Sequence, residues 1–429
     1  MGGRPAQEEI PADGEERSLH PHTPDPRAVR SGTADPLLVD ADVAGAVGQV
    51  LADGLGERVA AARAIDPVFA RDIAERAAGF TLGGGKRTRS QFLWWALRAC
   101  GGGTTGEAAY AALRLAAALE LVQTCALVHD DVMDGSHLRR GGPTVHADVE
   151  TQYASHVAGR RPAAGEPFGK AAAILVGDLA LVWADDTVAA TRLPPGTSRD
   201  VRGIWQAMRT EMVAGQYLDL HGQVTGSRSV VRAVRAACLK SALYSVERPL
   251  AIGAALAGAD ESTVRALRSA GRCAGIAFQL RDDLLGAFGD SSSTGKPSGE
   301  DIREGKPTYL AAVAWRRADS AGDQRAAAVL RRAACGEGLR DADVEEVRGV
   351  LEATGARAVV EAKIARLAAR SEEHLAAASP LDEPGRRRLL ALFHRAAGLP
   401  PPAGTVRSRD RGGARLSGRP RAATAGGAR

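Results

Sequence analysis

Between about residues 37 and 398, apolar residues return at spacings of three and four almost without a break. Ala116, Ala117, Leu121 and Cys125 belong to one such series, and Ala172, Leu175, Leu179 and Val182 to another. That period lays an apolar stripe along a helix of 3.6 residues per turn. No stretch sustains the alternation over Val, Ile and aromatics that a half-buried strand requires, so no strand is expected. The chain is 45% hydrophobic but only 4% aromatic, which leaves a core of Ala, Leu and Val. Such side chains suit close-packed helices better than sheets. The expected fold is all-α, a single large domain of ten or more helices over residues 37–398.

The two ends read differently. Residues 1–36 are rich in Pro, Gly, Glu, Arg and His, and lack apolar periodicity. A segment that buries so little cannot offset its ordering entropy, so a disordered N-terminal extension is expected. Residues 399–429 read as a basic disordered tail, with seven arginines from Arg407 to Arg429 against Asp410 alone. The 155–169 connection, containing GRRPAAGEP, reads as an inserted flexible loop. Overall, 56 Lys and Arg face 51 Asp and Glu, a net charge of +5 too even to imply nucleic-acid binding. Five cysteines stand singly, which fits neither a disulfide framework nor a zinc module and points to the reducing cytoplasm. The run from Ala171 to Ala184 is interrupted by Asp178 and falls short of the roughly 20 apolar residues of a spanning helix. Neither stable membrane insertion nor a secretory signal is expected.

Two acidic clusters break the apolar pattern. LELVQTCALVHDDVMD (119–134) is an apolar helix whose C-terminal end carries Asp130, Asp131 and Asp134. Three carboxylates within little more than one turn repel one another, and they stand at the unfavourable end of the helix dipole. Hard oxygen ligands on so short a patch suit magnesium held partly by water and partly by a phosphate substrate. An acidic helix end facing solvent is the plainer alternative. A second one is the His129-Asp130 pair, the metal-binding dipeptide of some phosphohydrolases, which leaves the other cluster unexplained. That other cluster is Asp282 and Asp283, closing the apolar run GIAFQL with Gln279 just before them. The Gly- and Ser-rich segment that follows carries Lys296 and Lys306, placed to close over a metal-phosphate site.

Cations gather elsewhere. TLGGGKRTRS (81–90) presents Lys86, Arg87 and Arg89 after three glycines that let backbone approach a ligand, although the Walker pattern GxxxxGK[ST] is absent. LRRGGPTVH places Arg139 and Arg140 on a Gly/Pro turn after the first cluster. One half of the site would bind phosphate through metal, the other directly, as a protein holding two phosphorylated substrates needs.

GGGKRTRS, LVHDDVMDGSHLRRGGPTVH, AAAILVGDLAL, EMVAGQYLDL, LKSALYSVERPLAIGAALAG and FQLRDDLLGAFGDSSSTGKPSGEDIREGKPT follow one another in this order. The set resembles the trans-isoprenyl diphosphate synthases, closely over residues 80–315 and more loosely over 40–398. The resemblance implies a helical bundle around a central apolar cavity and a magnesium-dependent condensation of isopentenyl diphosphate with an allylic diphosphate. It also implies a homodimer and two to three magnesium ions. Asp130, Asp131 and Asp134, with Asp282 and Asp283 opposite, would be the metal ligands. Arg139, Lys240, Gln279, Lys296 and Lys306 would grip the allylic diphosphate, and Lys86, Arg89, Gln123 and Arg140 the isopentenyl diphosphate. Ser241 keeps the hydroxyl of the usual Thr beside the catalytic lysine. The departing diphosphate is the base in that family, so His129 and His146 are expected to be structural.

Gly286 departs from the pattern, standing where the second cluster commonly has its last Asp; whether Asp290 compensates stays open at this level. Product length in the family depends on residues before the first Asp. Here Cys125 and Ala126 are small, which moves the floor to Val122 and Leu119 and points to geranylgeranyl diphosphate, with a longer prenyl chain as the alternative. A non-catalytic subunit of a heteromeric synthase would have lost metal ligands that this chain keeps. A terpene cyclase would not need GGGKR or Arg140.

Overall fold

The first-cluster segment folds as one 29-residue helix, Gly106–Asp134, and the rest of the N-terminal half is packed around it. Its start is set by Thr105, whose side chain accepts a bond from the Ala108 amide at 3.3 Å, and by Glu107 in the first turn. Its end is set by Gly135 in the left-handed region at φ 65°. This computed structural model describes residues 29–30, 32–157, 168–289, 299–335, 338–378 and 380–402. Lys296, Asp290, the middle of the 155–169 connection and most of both terminal segments lie outside them.

Well over ten helices make up the described residues, as the periodicity requires. The expectation about apolar runs needs correcting. Among the described residues the helix long and apolar enough to cross a bilayer is Gly106–Asp134, not Ala171–Ala184, and 72% of its most apolar window is buried inside the protein. Apolar on all sides, it is a core helix of the bundle. The helix Phe168–Ala189 lies against it, and His129 fixes their register by bonding through Nε2 to the Ile174 carbonyl at 3.1 Å. A β-carbon at Gly177 would overlap that imidazole, so the glycine is what seats it.

The second-cluster helix, Glu261–Phe288, spans two cores. Leu267, Ala270 and Ala274 join the core built on Gly106–Asp134; Ala277, Leu280 and Leu284 join a second core with Trp315, Leu330 and Leu351. Between these halves runs one continuous helix in three parts. Val230–Ala237 and Arg248–Leu256 are α-helical, and Cys238–Glu247 between them is a ten-residue π-helix.

Two short ribbons amend the expectation of no strands. Val29–Arg30 pairs with Thr33–Ala34, and Leu138–Arg139 with Gly142–Pro143, both antiparallel. Two-residue strands are too short for any alternation to reveal. The first ribbon brings Ala34 into the core, so the folded body begins a few residues before 37. The second forms the turn that carries Arg139 and Arg140.

Candidate active site

The three acids of the first cluster are each met by a cation from a different part of the chain. Lys240 on the π-helix donates from Nζ to Asp130 at 2.9 Å, and to Asp219 at 2.8 Å. Arg139 donates from Nε to Asp131 at 2.8 Å and reaches Asp130 at 3.7 Å. Lys306 donates to Asp134 at 3.1 Å and is also paired with Glu304 at 2.6 Å and Asp301 at 3.6 Å. Burial opposes the ionised form of Asp130, but Lys240, Lys306 and Arg139 outweigh it and hold its carboxyl below the ordinary range. Burial likewise opposes the charge on Lys240, and Asp130 and Asp219 overcome it, so the lysine stays protonated.

Lys240 can reach Asp130 because the neighbouring helix Pro195–Val224 comes very close. A β-carbon at Gly215 would overlap the Lys240 backbone. From that helix, Gln216 also donates to Asp130 at 3.0 Å. Gln216 and Asp219 are site residues that the sequence reading named only as part of a motif. Their signal is an i, i+3 polar pair inside EMVAGQYLDL. Ser241 follows Lys240 on the π-helix and is half-buried.

The second cluster is different in kind. Asp282 is exposed, whereas Asp283 is 6% exposed and accepts a bond from Gln279 Nε2 at 2.8 Å. Gln279 therefore orients a carboxylate of this wall. Burial pushes the Asp283 carboxyl up to about 8; the Gln279 bond opposes this, and Asp301, Asp282 and Asp219 add to it. The missing acid at 286 has a spatial substitute. A side chain there would overlap the Asp301 carboxylate, which belongs to the short helix Glu300–Arg303.

On the basic side, Arg140 lies across the glycine loop. Its guanidinium sits 5.1 Å from the Phe80 ring centre, and β-carbons at Gly84 and Gly85 would come within 3.6 Å of it. Both glycines have positive φ, 144° and 102°, which other residues rarely adopt. Arg89 stacks over the Tyr244 ring at 4.3 Å and donates to Ser245 Oγ at 2.7 Å. Lys86 is exposed, and Gln123 is half-buried with its Oε1 bonded by Tyr244 at 2.7 Å. Arg87 turns inward instead. It is buried, adopts φ 43°, and pairs with buried Glu120 at 3.6 Å. Its pairing with Glu120 ties the loop to the core.

Neither histidine faces the acids. His129 Nδ1 lies 3.7 Å from Cys125 Sγ and its Nε2 bonds the Ile174 carbonyl, while buried His146 contacts Thr144 Oγ1 at 3.2 Å. The His129-Asp130 reading as a metal-binding pair thereby loses its geometry. Under the cluster, Cys125, Val122 and Leu119 are buried and Ala126 is half-buried.

Acids on two walls, cations from three segments and a separate basic loop are the parts of a diphosphate site. Residues 71–347 match the sequence profile of the polyprenyl synthetase family. The chain belongs to that family. A geranylgeranyl pyrophosphate synthase of Corynebacterium glutamicum, crystallised with isoprenyl diphosphate and magnesium, superposes with a TM-score of 0.75. It is 37% identical over 82% of this chain and 98% of that one. A geranylgeranyl diphosphate synthase of Mycobacterium tuberculosis is 31% identical over 63% of this chain and 69% of its own length. A geranylfarnesyl diphosphate synthase of Aeropyrum pernix is 32% identical over 55% of this chain and 68% of its own.

The residues present fit magnesium in one particular way. Among the described residues, no three His, Cys, Asp or Glu side chains converge into a ready-made cage. Magnesium needs no such cage, since it keeps several waters and binds one or two carboxylates plus substrate phosphates. The buried Asp283 carboxyl, raised by burial and by neighbouring acids, is a group that a cation would relieve.

Proposed function

We propose that this polyprenyl synthetase condenses isopentenyl diphosphate head to tail with an allylic diphosphate to give a trans-prenyl diphosphate, geranylgeranyl diphosphate above others. The carrying observation is the convergence of Arg139, Lys240 and Lys306 on Asp130, Asp131 and Asp134. Cations drawn from segments up to 172 residues away would be superfluous for holding one acidic helix end. They suit a diphosphate whose charge grows as its C–O bond breaks.

Magnesium, two to three ions in this reading, supplies the charge that makes the diphosphate a competent leaving group. This chain's own residues do the rest. Lys240, kept protonated by Asp130 and Asp219, stands beside the departing oxygens with Arg139 and Lys306. Lys86, Arg89, Gln123 and Arg140 hold the second diphosphate on the glycine-loop side. The apolar stem of Gly106–Asp134 shields the allylic cation from water. With His129 and His146 engaged elsewhere, the proton goes to the departing diphosphate.

Small Cys125 and Ala126, with Val122 and Leu119 a turn deeper, support a twenty-carbon product. The similarity to a geranylfarnesyl synthase favours a longer chain as the second reading. Ile174, Leu175 and Val182 are exposed along one helix, and Val213 and Tyr217 along the helix joined to it by the Asp185–Trp205 bond. A second copy of the chain covers this face in our reading, giving twice the chain mass in light scattering. Five free thiols support a cytoplasmic setting.

The test is incubation with isopentenyl diphosphate, magnesium, and dimethylallyl, geranyl or farnesyl diphosphate, with products resolved by mass spectrometry. Twenty carbons support the reaction and the floor; longer products keep the reaction and deepen the floor. Failure with every primer, in folded and magnesium-replete protein, overturns the proposal and favours the non-catalytic subunit.

A further inference from the structure

Tyr244 touches two of the residues proposed to hold isopentenyl diphosphate. Its hydroxyl donates to Gln123 Oε1 at 2.7 Å, and its ring carries the Arg89 guanidinium at 4.3 Å. The ring is 3% exposed, and burial pushes the phenol well above its ordinary range, so the hydroxyl stays a donor. A donor on Oε1 fixes the Gln123 amide the other way round from an acceptor. The carbonyl end is occupied, and the NH2 end, two donors, is the end left for an anion. Arg89 is held as well: the ring supports one face, and Ser245 Oγ accepts from Nη2 at 2.7 Å. Its Nε is buried without a hydrogen-bond partner among the described residues. A buried, unsatisfied guanidinium donor points to a ligand with acceptor oxygens.

The π-helix makes this possible. With i→i+5 bonding, residues four and five apart share a face, so Tyr244 and Ser245 lie on the side of Lys240. We infer that Tyr244 is the positioning residue of the isopentenyl diphosphate half: it sets the Gln123 amide and the Arg89 plane toward that diphosphate, while Lys240 on the same π-helix serves the allylic one. This rests on the reaction proposed above.

The test compares wild type, Tyr244→Phe, Gln123→Ala and the double variant. Removing one hydroxyl donor should raise KM for isopentenyl diphosphate roughly 3- to 15-fold, the equivalent of one hydrogen bond. KM for the allylic substrate, kcat and the thermal midpoint should stay within twofold or a degree or so. If Tyr244 acts through Gln123, the double variant should be no worse than Gln123→Ala alone. An unchanged isopentenyl KM, equal rises in both KM values, or additive losses each overturn the inference. Wild type that condenses nothing overturns instead the reaction it rests on.

Discussion

The two aspartate clusters close similar apolar helices yet live in opposite electrostatic surroundings. In the first, every acid has a cation within 3.1 Å, and Asp130 is held ionised. In the second, Asp283 is buried beside an amide and among other acids, and its carboxyl is raised to about 8. The first wall is compensated from within the chain, so binding a substrate there means exchanging partners. On the second wall the side-chain bond to Asp283 comes from an amide, and an added cation would relieve its raised carboxyl. A common motif therefore does two jobs, and its neighbours decide which.

The largest expected effect breaks the compensated side. Asp131 is 1% exposed and holds Arg139, so Asp131→Asn should lower turnover by about 10²- to 10³-fold. Steady-state rates with both substrates saturating would show it, and a loss below tenfold would mean that this wall is not where the leaving group is stabilised.

A smaller effect sharpens the second wall. Asp301 occupies the space beside Gly286, so Asp301→Asn should raise the half-saturating magnesium concentration about tenfold. The magnesium-induced rise in thermal midpoint should shrink in parallel. Unchanged magnesium dependence would show that Asp301, which pairs with Lys306, does not serve the metal.

The smallest effect is a control on a carboxylate outside both clusters. Asp72 is bonded by Arg71, Tyr153 and Gln152, and the Arg71 bond above all holds it down to about 2. A carboxyl lowered on folding adds stability above its unfolded value near 4, and that stability goes as pH falls toward 2. Between pH 4 and 2 the wild type should therefore lose stability more steeply than Asp72→Asn in urea unfolding. Parallel curves would show that ion pairing of this kind does not depress carboxylates in this protein.

Much of this site was legible from the chain. Asp130, Asp131 and Asp134 announce themselves because three acids ending an apolar helix need a cation, and Lys306 follows a glycine-rich connection suited to closing over them. Gln216 and Asp219 were harder, since an amide and a single acid on an otherwise ordinary helix gain meaning only from what Gly215 lets them approach. Arg87 was misleading for the opposite reason: its place among Lys86 and Arg89 suggests a ligand, while buried Glu120 claims it. Asp301 had no local signal, because the gap it fills lies 15 residues earlier in the chain.

The sequence by itself determined the helical class, the order of the motifs and the two acidic helix ends, because periodicity and like-charge repulsion act over neighbouring residues. Only the tertiary structure decided which cation meets which acid, which glycine admits a neighbour, and where a π-helix puts Lys240, Tyr244 and Ser245 on one side. Those outcomes depend on contacts between segments tens to hundreds of residues apart, whose distances no local pattern encodes.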